Sequence, residues 1–241
     1  MKVLTIDVGG THVKILATDE KVERKFVSGP KMTAKQMVAG VKQLAEAWHY
    51  DAVSIGYPGP VLHGRILQEP HNLGSGWVKF DFKEALGRPV KVINDAAMQA
   101  LGSYQDGSML FLGLGTGLGS TLIVDGVLEP MELGHLPYRK ATYEDYVGSR
   151  GLKRFGKKKW RKYVADVVER LTAALEPDDV VLGGGNAKLL EGLPKGCRLG
   201  NNANAFVGGF RLWTKTDRAH PHRHRASHSA DNIDDSEIHH D

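Results

Sequence analysis

The chain has 241 residues, 41% hydrophobic and 25% charged, with a formal net charge of +4; this is ordinary composition for one large soluble domain or two small ones. No stretch approaches the ~18 consecutive apolar residues of a membrane helix, the net charge is too small to imply a nucleic-acid partner, and the single cysteine, Cys197, excludes an intrachain disulfide and a cysteine-rich zinc site. The first residues, "MKVLTID", enter a strand at once with no signal-peptide pattern, so a cytoplasmic location is expected.

Residues 2–8, 12–18 and 22–28 read as three successive strands. Between the first two stand Asp7, Gly9, Gly10 and Thr11. A hairpin needs only glycine for its turn, so the added carboxylate and hydroxyl suggest a turn that holds something. "TAKQMVAGVKQLAEAWH" predicts an amphipathic helix capped by Thr33, with Met37, Val41, Leu44 and Trp48 on one face. "AVSIGYPGPV" is a strand running into a Pro/Gly loop, "VKVIND" another strand, and "AAMQALGSY" a helix. The opening pattern then recurs. "MLFLGLGTGLGSTLIVDG", residues 109–126, is again strand, glycine turn with threonine, and strand. "DVVLGGGNAKLL" predicts a strand, three glycines and a helix start, and "NNANAFVGGFRLW" a closing helix.

Two halves that begin alike predict two related α/β lobes meeting at a cleft: residues 1–106, and residues 107–213 with a last helix able to pack back on the first lobe. The tail 214–241 is polar, holds six of the eleven histidines and reads as disordered. From Arg150 to Lys162, "RGLKRFGKKKWRK" carries eight basic residues and no acid. It is a solvated helix face or a salt-sensitive track for a long polyanion.

Glycine lets a backbone approach a ligand and aim successive N–H groups at one point, which suits an anion. Two such turns across a cleft would grip the phosphates of a polyanion, with Thr11 and Thr116 adding hydroxyl donors. A Walker A loop is absent, and the spacing of "GLGTGLG", followed by a strand, does not meet the dinucleotide fingerprint.

The segments "IDVGGTHVK", "GYPGPV", "EPHNLGSGW", "INDAAMQALG", "GLGTGLGS", "ELGH", "VVLGGGN" and "GNNANAFVGG" follow the order found in the ROK family of sugar kinases, which the chain resembles from residue 2 to about 213. The lack of cysteines and the compact length look most like its polyphosphate glucokinase branch. The resemblance implies an α/β, two-lobed actin-like or hexokinase-like (ribonuclease H-like) fold with mixed sheets and flanking helices. It implies phosphoryl transfer from polyphosphate or ATP to the 6-hydroxyl of glucose or a related hexose, with Mg²⁺ and without zinc. Family members are often homodimers.

Carried onto this sequence, the resemblance makes Asp95 the general base, a residue type and place that also suit a helix N-cap. Asn94 beside it would bond the same sugar. Asp7 would position Mg²⁺ through water, a cation commonly held by one or two carboxylates plus phosphates. Gly9, Gly10, Thr11, Gly115, Thr116 and Gly117 would contact the terminal phosphoryl group, and Gly183, Gly184 and Gly185 the rest of the donor at a helix N-terminus. Gly59, Asn72, Glu132, His135 and Glu144 would meet the sugar hydroxyls, which need paired polar partners. A sugar-sensing regulator and a non-catalytic sugar-binding protein of the same fold are the alternatives; repressor relatives carry a DNA-binding segment ahead of the fold, and this chain starts directly with the hairpin.

Overall fold

A computed structural model describes residues 1–201 and 203–214. In chain order the first half comprises β1 (Val3–Val8), β2 (His12–Ala17), β3 (Arg24–Val27), α1 (Ala34–Leu44), β4 (Ala52–Tyr57), β5 (Val61–Leu62), β6 (Arg65–Ile66), α2 (Phe82–Leu86), β7 (Val90–Asn94) and α3 (Asp95–Ser103). The second half comprises β8 (Ser108–Leu114), β9 (Leu118–Val124), β10 (Val127–Met131), β11 (Pro137–Tyr138), β12 (Ala141–Thr142), α4 (Tyr143–Val147), α5 (Ser149–Leu175), β13 (Asp179–Gly183), β14 (Cys197–Leu199) and α6 (Asn204–Arg211). The expected tail from 215 onward lies outside the described residues.

Each half builds one five-stranded sheet, in the orders β3-β2-β1-β4-β7 and β10-β9-β8-β13-β14. In both, three antiparallel strands are followed by two parallel ones, and the longest hairpin heads the sheet. The repeated sequence pattern is thus a repeated topology.

Period-two alternation divides each sheet into two packed faces. In the first, Leu4, Ile6, Val13, Ile15, Val53 and Ile55 join a core with the α1 residues Met37 and Val41, and with Trp77 and Phe82. Thr5 and Ser54 point the other way, where their hydroxyls donate to Phe206 O and Gly209 O on α6. In the second sheet, Leu110, Leu112, Val180 and Leu182 pack under the α5 residues Trp160, Val164, Val167 and Leu171. The opposite face, Met109, Phe111, Ile123 and Val181, receives Ala96 and Ala100 of α3. Helices α3 and α6 therefore form the layer between the two sheets, and they cross at glycines. A Cβ on Gly102 would collide with the Asn204 carbonyl, and one on Gly208 with the Met98 carbonyl.

Two elements differ from expectation. Helix α1 ends at Leu44; a turn closed by Trp48 N–H to Ala45 O carries the buried Trp48 back to the core, where Arg24 lies over its ring. The third strand is only Arg24–Val27. The basic run becomes part of the 27-residue α5, broken at Gly156, whose φ of 72° is non-helical.

Because the α3–α6 crossing has no room for a methyl group, Gly208→Ala should cost about 1–3 kcal/mol. At roughly 2–4 °C per kcal/mol for a chain of this size, a thermal melt should show a drop of several degrees.

Candidate active site

The first glycine turn follows β1. Gly9 N–H closes it on His12 O at 3.0 Å, and Ser28 pins it from outside, its hydroxyl donating to Gly9 O at 2.7 Å and its N–H to Thr11 O at 3.0 Å. Among the described residues, the N–H groups of Gly10 and Thr11 have no backbone partner. Asn72 lies beside this turn, its Cβ 3.3 Å from where a Gly10 Cβ would stand.

The second turn follows β8 and is braced by two residues that sequence reasoning did not single out. Ser149, at the start of α5, donates its N–H to Gly115 O at 2.9 Å and its hydroxyl to the same carbonyl at 2.9 Å. Asn186 donates its side-chain amide to Gly115 O and to Ser149 Oγ, both at 3.1 Å, and its N–H to Leu114 O at 2.9 Å. Gly184 takes a left-handed φ of 82° against the Leu114 carbonyl. The Gly183–Gly185 loop and the Gly115–Gly117 turn are thus one assembly, again with free N–H groups at Thr116, Gly117 and Gly185 among the described residues.

The expected helix after the triple glycine is corrected to a single 3-10 turn, Ala187–Leu189. Asn186 spends its amide on Gly115 and gives no side-chain cap, Leu190 is already extended, and Gly192 and Pro194 follow. An anion placed there would meet loop N–H groups, with no helix dipole behind them.

Asp95 is the first residue of α3 rather than its cap. Asn94 holds that place, accepting from Ala97 N–H at 3.1 Å while its amide donates to Gly59 O at 3.1 Å. Both polar ends of Asn94 therefore fix the β4 loop to the helix start. Burial, then the nearby Asp7 carboxylate, and more weakly Glu132, push the Asp95 carboxyl up to about 7, against the Ala96 N–H that donates to it at 2.8 Å. Burial also raises Asp7, with Lys14 drawing it down and Glu23 pushing it up. Asp95, at the head of α3, thus feels carboxylates from β1 and from the segment after β10.

Glu132 and His135 flank the turn Leu133–His135, anchored by Ser120 Oγ, which accepts from Leu133 N–H at 3.0 Å and donates to Met131 O at 2.8 Å. Glu144, in the first turn of α4, brings one carboxylate oxygen 3.9 Å from His135 Nε2 and sets the other against Gly117, where a Cβ would collide with it. His135 and Glu132 are exposed, and Glu144 is half-buried. A cluster of Tyr138, Tyr143, Tyr146, Phe155 and Tyr163 is the local core beneath this segment. Among the described residues, no three His, Cys, Asp or Glu side chains gather as metal ligands. Two concavities of about 540 and 350 Å³ flank α2 and include none of these residues.

The family model described as "ROK family" matches residues 3–151, and the chain belongs to that family. A polyphosphate glucokinase of Mycobacterium tuberculosis (strain CDC 1551 / Oshkosh) is 28% identical over 203 residues, 75% of this chain and 76% of that one. The inorganic polyphosphate/ATP-glucomannokinase from Arthrobacter sp. strain KM superposes with a TM-score of 0.74 at 25% identity, covering 86% of this chain and 96% of the other. A ROK family glucokinase from Streptomyces griseus, solved with glucose and AMPPNP, superposes with a TM-score of 0.71 at 19% identity over 88% of this chain and 99% of the other, a likeness of fold. The fold is the two-lobed, actin-like and hexokinase-like one.

The raised Asp95 has a cost that can be measured. The folded carboxyl titrates at about 7 and an unfolded one near ~3.9, so between those values the native state holds the extra proton and stability falls as pH rises. Asp95→Asn should therefore melt within error of the parent near pH 4 and higher above pH 7, with ~1 kcal/mol appearing as about 2–4 °C. Equal melting temperatures at pH 8 would show that the carboxyl is not held in a charge-averse site.

Proposed function

We propose that this ROK chain is a glucokinase, transferring a phosphoryl group from polyphosphate or ATP to the 6-hydroxyl of glucose. The observation that carries the reading is Asp95: a carboxyl at the head of α3, raised to about 7 by burial and by Asp7. A base with a pKa near the working pH is half available and still strong enough to take a proton. The support from outside is that polyphosphate glucokinases are among the relatives and a polyphosphate/ATP-glucomannokinase among the structural neighbours.

The chemistry follows from the parts. Asp95 accepts the proton of the sugar hydroxyl as that oxygen attacks phosphorus in line; the bond to the bridging oxygen breaks, and its electron pair stays on the leaving phosphate. The unpaired N–H groups of Gly10, Thr11, Thr116 and Gly117 would donate to the phosphoryl oxygens, where fixed donors stabilise charge without reorganising. Asn72, Glu132, His135 and Glu144 orient the sugar, with Gly59 held in the same loop by Asn94. Asp7 fits Mg²⁺ as a single carboxylate sharing the ion with water and donor phosphates; bound there, the ion would supply charge neutralisation at the phosphates.

The donor preference within this reading is polyphosphate. Of the eight cations in 150–162, Arg150 pairs with Asp145 at 2.7 Å and Arg161 with Glu191 at 2.6 Å. Lys153, Arg154, Lys157, Lys158, Lys159 and Lys162 have no acidic partner among the described residues. The helix that carries them begins at Ser149, on the second glycine turn. A donor of three phosphates is too short to use them all; a long chain is not.

Purified protein supplied with a hexose panel and either ATP or long-chain polyphosphate should yield glucose 6-phosphate by mass. Its kcat should rise through about pH 7 and level off above. Asp95→Asn should lower kcat by about 10²–10⁴ while glucose binding by calorimetry is unchanged. The KM for polyphosphate should climb steeply with salt and that for ATP should not. Near-normal turnover by Asp95→Asn removes the base assignment.

A further inference from the structure

Between the end of β6 at Ile66 and the start of α2 at Phe82, residues 67–81 form neither strand nor helix. Unstructured connections beyond about 12–15 residues are uncommon in a compact fold and are usually functional. Asn72 stands in the middle of this one, exposed between the buried Pro70 and Leu73, with its Cβ beside Gly10. On the C-terminal side of Asn72 the loop is seated on the chain before α1. There Gly74 N–H donates to Met32 O at 3.0 Å, and a Cβ on Gly74 would collide with the Lys31 carbonyl.

The N-terminal side is held by two side chains. Tyr57, fully buried at the end of β4, donates its hydroxyl to Gln68 O at 2.8 Å. Glu69 reaches across the loop, where its carboxylate accepts from Trp77 N–H at 3.0 Å and from Val78 N–H at 3.2 Å. Those donors come 8 and 9 positions later, so one side chain draws the two ends of the loop together. The neck rests on a firm base, since Trp77 is fully buried and its ring lies 5.5 Å from that of Tyr57. The Tyr57 ring also lies against Gly59, where a Cβ would collide with it, and Gly59 O accepts from the Asn94 amide. A continuous path thus leads from the head of α3, through Gly59 and Tyr57, to the loop that carries Asn72.

Satisfying two N–H groups does not by itself call for Glu69. The residue is exposed, and water serves solvent-facing donors nearly as well. Its charge is not spent on a cation either: among the described residues it forms no ion pair. What the carboxylate adds is closure, which limits where the middle of the loop can sit. We infer that Glu69 is a positioning residue for the sugar: by clasping Trp77 and Val78 it holds Asn72 beside the first glycine turn, with the Tyr57 hydroxyl as a second clasp. The inference rests on the reading above, in which Asn72 meets a sugar hydroxyl, and adds two residues that act through Asn72 without touching substrate.

Calorimetry with glucose compares the full chain with Glu69→Ala, Tyr57→Phe, Asn72→Ala and the double variant Glu69→Ala/Asn72→Ala. Glu69→Ala should weaken glucose binding about tenfold, within the up to ~10²-fold effect of a small misplacement caused from outside the site, and should raise the KM for glucose by a like factor. Its affinity for inorganic tripolyphosphate without sugar should equal the parent's, because Ser28 and His12 pin the first glycine turn independently. Tyr57→Phe should weaken glucose in the same direction. The double variant should bind glucose as Asn72→Ala does, since a residue that works through Asn72 then has nothing left to position. Parental glucose affinity in folded Glu69→Ala overturns the inference, whatever its melting temperature; that pattern belongs to a loop brace with no bearing on the sugar. Additive losses in the double variant overturn it too, and assign the carboxylate a sugar contact of its own. A parent that binds glucose but forms no sugar phosphate overturns the phosphotransfer reading alone, because the calorimetric comparison needs no turnover. A parent that does not bind glucose overturns both.

Discussion

One constraint governs this molecule: α3 must lie between two sheets with its first carboxyl held away from bulk water. The helix is fixed at both ends. Asn94 caps its start and ties it to Gly59. At its other end, Arg211 donates to the carbonyls of Leu101 and Tyr104, both at 2.7 Å, and Arg198 to that of Ser103 at 2.7 Å. Cations at a helix C-terminus complete its unsatisfied carbonyls and suit its dipole. Arg198 is itself held by Asp179 on β13, so the second sheet grips the helix that the first sheet delivers. The Gly102–Gly208 crossing then sets how closely α6 lies against it. The proposed base role, taking a proton from one oxygen, would gain from a backbone with so little freedom.

The electrostatics of that position are in tension. A helix N-terminus favours a carboxylate, as does the Ala96 N–H. Burial and the neighbouring Asp7 and Glu132 oppose it more strongly, and the carboxyl settles near 7. Without the neighbours the group would ionise more readily and be a weaker base; without the helix start it would ionise less readily. Lys14 and Glu23 apply the same opposed pressures to Asp7. The stability given up by burying such a group is the physical form of a familiar trade between activity and folding.

Much of this was legible in the chain because it depends on local pattern. Alternating apolar residues mark the central strands, Thr33 marks the start of α1, and the recurrence of strand, Gly-Thr turn and strand marks the duplicated sheets. Asp95 and Asp7 stand out as carboxylates placed where a strand ends. What stayed hidden depends on partners far away in sequence. Ser149 and Asn186 brace the second turn from 34 and 71 positions beyond Gly115, and no spacing announces that. The α5 helix was obscured because its basic first half carries little apolar periodicity before Trp160, and Gly156 interrupts it. The short hairpins β5–β6 and β11–β12 have two residues per strand, too few for alternation to register.

The two sheets share one topology but hold their turns differently, and the difference has a functional consequence. In the first sheet the turn is pinned by Ser28, just beyond the neighbouring strand β3. In the second it is pinned by the start of α5 and the loop after β13, and Glu144 of α4 rests against Gly117. Gly148, between α4 and α5, also packs on the Thr116 carbonyl. The second turn is therefore a junction where the residue assigned to the sugar, the donors assigned to the phosphates and the head of the basic helix bear on the same few backbone atoms. A change in any one of them shifts the backbone that positions the other two. Under the proposed roles, sugar selection and donor use would be coupled through Gly115–Gly117, and a substitution at Ser149 or Asn186, neither of which needs to touch a substrate, would act on both.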